Sequence, residues 1–233
     1  MKHFLELLLA GCFFLILQLV VSRTVLTRWL RLGKSAYLRL NRTKHSSGRP
    51  DETLEIRRGA EPDVVDLVHD LYDNDESVRT FYENFYHNGI EPWIAKRDNK
   101  VVGVVWLYTG YYISPWQGYD GFVLRLEIEP TARFVANVFV GPESRGQGIF
   151  SKIVQRFLDE LPNDVFYSAI AEENIPSIRA HEKIGFRRCG ATYYVQLFGW
   201  TWAVFVPKWG ISRVFRILRG TTVSVVLSRS EVK

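Results

Sequence analysis

The feature that most constrains this chain is a change of apolar period across a glycine turn. Phe134 to Val140 is a short apolar run rich in β-branched residues, the pattern of a buried strand. Gly141-Pro142-Glu143-Ser144 breaks it, and Arg145-Gly146-Gln147-Gly148 follows. Then Ile149, Phe150, Ile153, Val154, Phe157, Leu158 and Leu161 recur at the spacing of one helix face, with Ser151, Lys152, Gln155, Arg156, Asp159 and Glu160 on the other. Strand, glycine turn and helix in that order aim several unpaired backbone N–H groups at one spot. The helix dipole adds partial positive charge there, and glycines let a ligand approach the backbone. The unit reads as an anion site, most simply for a pyrophosphate. Taken alone, a tight strand-to-helix turn without a ligand is the competing reading.

Two further stretches extend the pattern. Asn174-x-x-Ser177 leads into Ala180-His181-Glu182-Lys183-Ile184-Gly185-Phe186, and Leu54-Glu55-Ile56-Arg57-Arg58-Gly59-Ala60 leads into Glu61, Asp63 and Asp66. With Arg145-Gly146-Gln147-Gly148-Ile149, these resemble the motifs of the GNAT superfamily of N-acetyltransferases, in the expected order over roughly residues 53–198. The resemblance implies an α+β fold with a mixed, mostly antiparallel central sheet and flanking helices. It implies acetyl-CoA, or another acyl-CoA, as donor and a primary amine as acceptor. It also implies roles. Val138, Phe139 and Val140 would lie on a strand that splays from its neighbour and binds the pantetheine, one N–H polarising the acyl carbonyl. Arg145, Gly146, Gln147, Gly148, Ile149 and Phe150 would hold the pyrophosphate, and Asn174 would sit near the pantetheine or the departing sulfur. Two positions depart from the family pattern. Phe150 stands where a small residue is usual, and His181 stands where a tyrosine acts as general acid.

Acyl transfer to an amine needs a positioned carbonyl, a stabilised oxyanion and the management of two protons. His181 falls on the inward stripe of its helix with Ile178 and Ile184, so its imidazole is a candidate donor to the leaving thiolate. A hydrogen-bonded core histidine is the competing reading. Glu127, Glu129, Glu172 and Glu173 are candidate bases for the ammonium, with Glu129 preferred; each taken singly also reads as a solvated carboxylate.

The elements around the central unit follow from local pattern. Leu54–Arg58 reads as a strand, Asp63–Tyr72 and Glu76–Tyr86 as helices, and Trp93–Arg97 with Val101–Tyr108 as a hairpin turning at Asp98-Asn99. Thr109–Ala132 is an aromatic insertion containing an extra strand, Phe122–Ile128. Val165–Ile170 is a further strand. Asn174, Pro176 and Gly185 bracket a helix as N-cap, first-turn proline and C-terminal glycine. Arg187–Cys189 and Thr192–Phe198 close the sheet.

Charge separates the chain into three parts. Residues 1–50 carry nine Lys/Arg against Glu6, and residues 208–233 carry six against Glu231. Residues 51–207 carry 15 Lys/Arg against 23 acids. An acidic body between basic ends argues against nucleic acid as a partner. Cys12 and Cys189 provide neither a disulfide framework nor a metal-ligand spacing. Leu7–Val21 is an unbroken run of low polarity, extended by Phe4 and Leu5, and basic residues follow it with no acid before Asp51. The expectation is a hydrophobic membrane-anchoring helix over residues 1–22 with its basic flank, and hence the domain, on the cytoplasmic side. Residues 23–50 carry arginines at helical spacing and are expected as a basic amphipathic segment on an anionic membrane surface, followed by a linker. A helix packed on the domain is the alternative. The acyltransferase domain spans 51–199. The extension 200–233, with Trp200, Trp202 and Trp209 among basic residues, is expected at the membrane interface or as a packed hairpin. A GNAT-fold protein that binds acyl-CoA without catalysis, as sensor or scaffold, is the alternative function that the missing tyrosine permits. The motifs specify neither acceptor nor oligomeric state.

Overall fold

The structure is a computed structural model, and it describes residues 30–41, 53–114, 122–162, 165–197, 200–207, 214–217 and 221–227. The strands are β1 (Leu30–Asn41), β2 (Glu55–Arg58), β3 (Glu91–Arg97), β4 (Lys100–Tyr108), β5 (Tyr111–Ser114), β6 (Phe122–Ile128), β7 (Ala132–Val140), β8 (Val165–Ala171), β9 (Arg187–Leu197), β10 (Trp200–Pro207), β11 (Val214–Ile217) and β12 (Thr221–Leu227). The helices are α1 (Glu61–Leu71), α2 (Glu76–His87), α3 (Ile149–Glu160) and α4 (Ile175–Ile184). Nine strands form one sheet in the order β11-β10-β9-β1-β8-β7-β4-β3-β2. Only β7 and β8 run parallel, joined through α3; every other neighbouring pair is antiparallel. The expected α+β architecture with a mostly antiparallel sheet is therefore present.

Helices cover both faces of this sheet. On one face Val64, Leu67 and Val68 of α1 and Tyr82 of α2 pack against Tyr37, Ile94, Val104, Trp106 and Phe134. On the other, Ile149, Ile153, Val154 and Phe157 of α3 and Ile178 of α4 pack against Leu38, Trp93, Val105, Leu107 and Phe166. The period-3.6 stripe of α3 supplies six buried side chains, which is why that helix docks flat. The buried Asp63 fixes the start of α1. It accepts from Arg57 at 2.6 and 2.8 Å, from Lys96 Nζ at 2.7 Å and from the Ala60 amide at 2.8 Å. Burial alone would raise its pKa, but these donors outweigh that and hold the carboxyl well below the usual range.

A smaller sheet, β12-β6-β5, is built from the aromatic insertion and the end of the chain, with β12 parallel to β6. Tyr112 of β5 stacks on Phe134 of β7 at 4.3 Å between ring centroids, which ties the insertion to the main sheet.

Two expectations are corrected here. Leu30–Asn41, expected within a basic amphipathic surface segment, is a strand inserted between β8 and β9. Ala36, Leu38 and Leu40 are buried towards α3 and α4, while Tyr37 is buried on the opposite face, its hydroxyl 3.0 Å from Thr192 Oγ1. Leu30-Arg31-Leu32 and Leu38-Arg39-Leu40 alternate as a strand does, but Gly33 to Tyr37 break the period and Ala36 and Tyr37 are buried on opposite faces, so the segment as a whole carries no single period. Second, the segment read as two pieces, Arg187–Cys189 and Thr192–Phe198, is one strand whose register against β1 slips between Leu38↔Arg188 and Tyr37↔Gly190, so that Cys189 is the bulged residue. The C-terminal extension supplies β10 and β11 to the large sheet as a hairpin and β12 to the small one. The hydrophobic helix expected over residues 1–22 lies outside the described residues. Among the described residues no helix is long and apolar enough to cross a membrane.

The central place of β1 is testable. Leu38→Ala, at a fully buried position, is expected to lower unfolding stability by about 3 kcal/mol in urea denaturation, where a surface-lying segment would give almost no change.

Candidate active site

The site begins where β7 and β8 part. Their parallel ladder holds from Ala132↔Val165 to Val135↔Ser168 and stops, although β7 continues to Val140 and β8 to Ala171. The edges of both strands beyond that point face each other without pairing. On its other side β7 stays bonded to β4 as far as Gly103↔Val140. The expected splay at Val138, Phe139 and Val140 is thus a feature of the sheet, and it leaves backbone groups of β7 open towards β8.

At the end of β7 the chain makes a short 3-10 turn, Pro142–Ser144, and enters the glycine turn. Gly146 and Gly148 adopt φ of 78° and 74°, a region where only glycine is unstrained. Among the described residues, and apart from the adjoining chain, nothing lies within 4 Å of a Cβ built on either. These glycines are needed for their backbone and open onto free space rather than onto a packed neighbour. Among the described residues, the Gly146 and Gln147 amides donate to no backbone carbonyl. The first amides of α3 have no intrahelical partner either, and the first bond into this end is Lys152 N to Gly148 O at 3.0 Å. The turn is braced from outside. Arg97 donates to Gln147 Oε1 at 2.6 Å, Gln147 Nε2 to Glu143 O at 3.0 Å, and Arg145 Nε to Val140 O at 3.2 Å. Arg145 also lies over the Phe139 ring, 5.9 Å from its centroid. A braced, glycine-lined cluster of free amides at a helix start, beside an arginine, fits a pyrophosphate, and the opened edge of β7 fits an extended arm carrying amides. The residues present therefore fit acetyl-CoA.

Residues 56–186, more than half of the chain, match the Acetyltransferase (GNAT) family. The chain belongs to the GNAT family of acetyltransferases. The family's acyl donor is acetyl-CoA. Over 99 residues the chain is 30% identical to an L-methionine sulfoximine/L-methionine sulfone acetyltransferase of Salmonella typhimurium, a match covering 41% of this chain and 50% of that protein. It is 28% identical over 99 residues to the L-amino acid N-acyltransferase MnaT of Escherichia coli, covering 41% of this chain and 49% of the relative. The chain spans about half the length of the curated relatives it matches. Its fold is similar to that of a solved, functionally unknown conserved protein from Staphylococcus epidermidis, at 13% identity and a TM-score of 0.51 over 77% of this chain and 67% of that one. The strand β1, which fills the slot between β8 and β9, lies outside the residues matched to the family.

The expected site residues of this GNAT chain divide into groups. Val138, Phe139, Val140 and the run Arg145 to Phe150 gather around the open edge and the turn. Asn174 caps α4, its side chain accepting from the Ser177 amide at 3.2 Å, near the end of β8. Glu129 is not brought to this group. It sits in the turn before Ala132, and about 26 Å of extended strand separates Ala132 from Val140. Glu172, at the end of β8, is drawn into ion pairs with Arg188 at 2.7 Å and Lys34 at 3.5 Å.

His181 is on the inward side of α4, but its protons are disposed against acid catalysis. Nδ1 lies 2.8 Å from Ser177 O, and a carbonyl only accepts, so Nδ1 carries the proton and donates it there. Nε2 is then a lone pair, buried and, among the described residues, without a partner. The residue is 1% exposed, and burial pushes its pKa down to about 4. At neutral pH the ring holds no proton at an atom free to give one. Its neighbours explain this. The Phe150 ring is 4.5 Å away and the Phe186 ring 5.0 Å, centroid to centroid. Phe150 of α3 and His181 of α4 are thus in contact. No local pattern pairs them, because a contact between two helices leaves no mark on the sequence of either.

The depressed His181 pKa carries a sign. The unfolded chain binds a proton at about 6.5 and the folded chain only at about 4, so stability falls as pH drops through that window. Between pH 6.5 and 4 this group is expected to remove about 3 kcal/mol of unfolding free energy. Denaturation curves of His181→Gln should lack that loss.

Proposed function

We propose that this chain is an N-acyltransferase moving an acetyl group from acetyl-CoA to a primary amine. The observation that carries the reading is the pairing of an open β7 edge with a turn of free amides at the start of α3. Bound acetyl-CoA supplies an acetyl group activated as a thioester. In this reading the amides from Gly146 onward hold the pyrophosphate, and Arg145 adds charge from the rim. The backbone of Val138 to Val140 aligns the arm, and an amide of that edge points at the carbonyl oxygen and stabilises negative charge on it. Asn174 lies at the far side of the splay. The proton for the departing sulfur does not come from His181, whose single proton is held by Ser177.

The two curated relatives act on amino acids, so the α-amino group of a small amino acid is the first acceptor to test. We further propose that residues 1–22 tether the domain to a membrane on its cytoplasmic side. The apolar run and the basic residues that follow it support this reading. Strand register adds to it. The start of β1 lies beyond Ala171, at the same end of the sheet as the glycine turn. Only residues 22–29 separate the apolar run from Leu30, at most about 29 Å of extended chain. A tether of that length holds the cofactor end of the sheet towards the bilayer, within reach of an amine on a lipid or a membrane protein.

Mass spectrometry after incubation with acetyl-CoA and either L-methionine sulfone or a membrane-lipid extract tests the reading. An acetylated amine in either arm supports it. Coenzyme uptake with no product in both arms leaves a non-catalytic acyl-CoA binder, and no uptake in calorimetry overturns the reading altogether. Gly148→Val adds a side chain where the protein itself offers no clash. It should cost only about 1–2 kcal/mol of stability, from its positive φ, yet weaken acetyl-CoA binding at least tenfold.

A further inference from the structure

Asn137 is the residue that the acyltransferase reading leaves unexplained. Among the described residues five non-glycines have positive φ. Asp73, Asn74, Asp98 and Asn99 are in turns, whereas Asn137, at φ 48°, lies inside a strand. Backbone of that kind is sparsely populated and persists only where surroundings impose it.

Two features meet there. The β4–β7 register shifts, with Trp106 opposite Ala136 and Val104 opposite Phe139, so two residues of β7, Asn137 and Val138, oppose Val105 alone. The extra residue reverses which side chains face which helix layer. Phe134 and Ala136 are buried with α1 and α2, Val138 and Val140 pack towards α3, and Phe139 returns to the first face against Tyr72, 4.8 Å between ring centroids. The bulge comes immediately after the β7–β8 ladder ends at Val135. It therefore sets the direction of the first free backbone groups of the open edge.

One side-chain bond holds it. Asn137 Nδ2 donates to Tyr108 Oη at 2.7 Å. Tyr108 is 5% exposed and fixed by the Tyr112 ring at 4.9 Å and the Phe85 ring at 5.7 Å. Burial pushes its phenol up, so it stays neutral and accepts from the amide at any working pH.

We propose that Tyr108 is a positioning residue for the acyl carbonyl, acting through Asn137. Its hydroxyl anchors the asparagine side chain, and the anchored side chain keeps the left-handed bulge that aims a β7 amide into the gap beside β8. The proposal rests on the acyltransferase reading, and its test separates the two.

Calorimetry with acetyl-CoA and with S-ethyl-CoA, a thioether that lacks the carbonyl oxygen, isolates the carbonyl contact. Wild type should prefer acetyl-CoA. Tyr108→Phe should lose about fivefold of that preference, the size of one net hydrogen bond, while S-ethyl-CoA affinity stays the same. Asn137→Ala should lose at least as much. In an Asn137→Gly background, where glycine takes positive φ without a tether, Tyr108→Phe should change nothing further. Equal weakening of both ligands by Tyr108→Phe overturns the proposal and leaves the acyltransferase reading standing. So does an undiminished effect in the Asn137→Gly background, or a wild type with no preference. Failure of wild type to take up either ligand overturns both.

Discussion

The structure depends on one unmet pairing: β7 and β8 are parallel neighbours that stop bonding halfway. Backbone groups left open inside a protein are costly, so such a gap persists only if the rest of the fold holds the two strands apart or a ligand fills it. Here β4 holds β7 from Phe134 to Val140 on one side, with a bulge at Asn137 that bends it. On the other side β1 holds β8, pairing it from Val165 to Ala171. The glycine turn, the start of α3 and the cap of α4 all lie at the open end of that gap. Each is unremarkable by itself; the divergence makes them converge.

The strand that secures β8 lies outside the residues matched to the family. Because β1 is bonded on both edges, residues 30–41 are part of the same cooperative sheet as the coenzyme turn. Lys34 at its start reaches Glu172, and Glu172 reaches Arg188. That chain of charges links β1, β8 and β9 beside the open end. A carboxylate that looks like a candidate base in sequence is, in space, a clamp on the strand that must stay splayed. Phe150 and His181 make a similar point: a side chain that looks like a candidate acid in sequence is, in space, packed against an aromatic ring of α3 with its proton turned to Ser177.

Much was legible in the chain. The apolar runs on either side of Asp98-Asn99 gave the β3–β4 hairpin, and the stripe from Ile149 to Leu158 gave α3. Asn174 and Gly185 gave both ends of α4, and the glycines at 146 and 148 gave the anion turn. These are local signals: side-chain period, capping chemistry and a backbone that only glycine adopts freely. For residues 200–207 tertiary pairing decided between two readings of equal local support, and for residues 30–41 it replaced both helical readings with a strand.

The sequence by itself determined the strand–turn–helix unit, the family, the apolar runs that build most of the sheet and the glycine turn before α3, because each depends on neighbours within a few positions. Only the tertiary structure decided that β1 lies between β8 and β9, that His181 holds its proton inward against Ser177, that Glu129 stands a strand's length from the turn, and that Tyr108 reaches Asn137. The reason is common to all four. Each is a contact between residues far apart in the chain or a distance across the sheet, and its energy comes from burial and hydrogen bonding that exist only once the layers have packed.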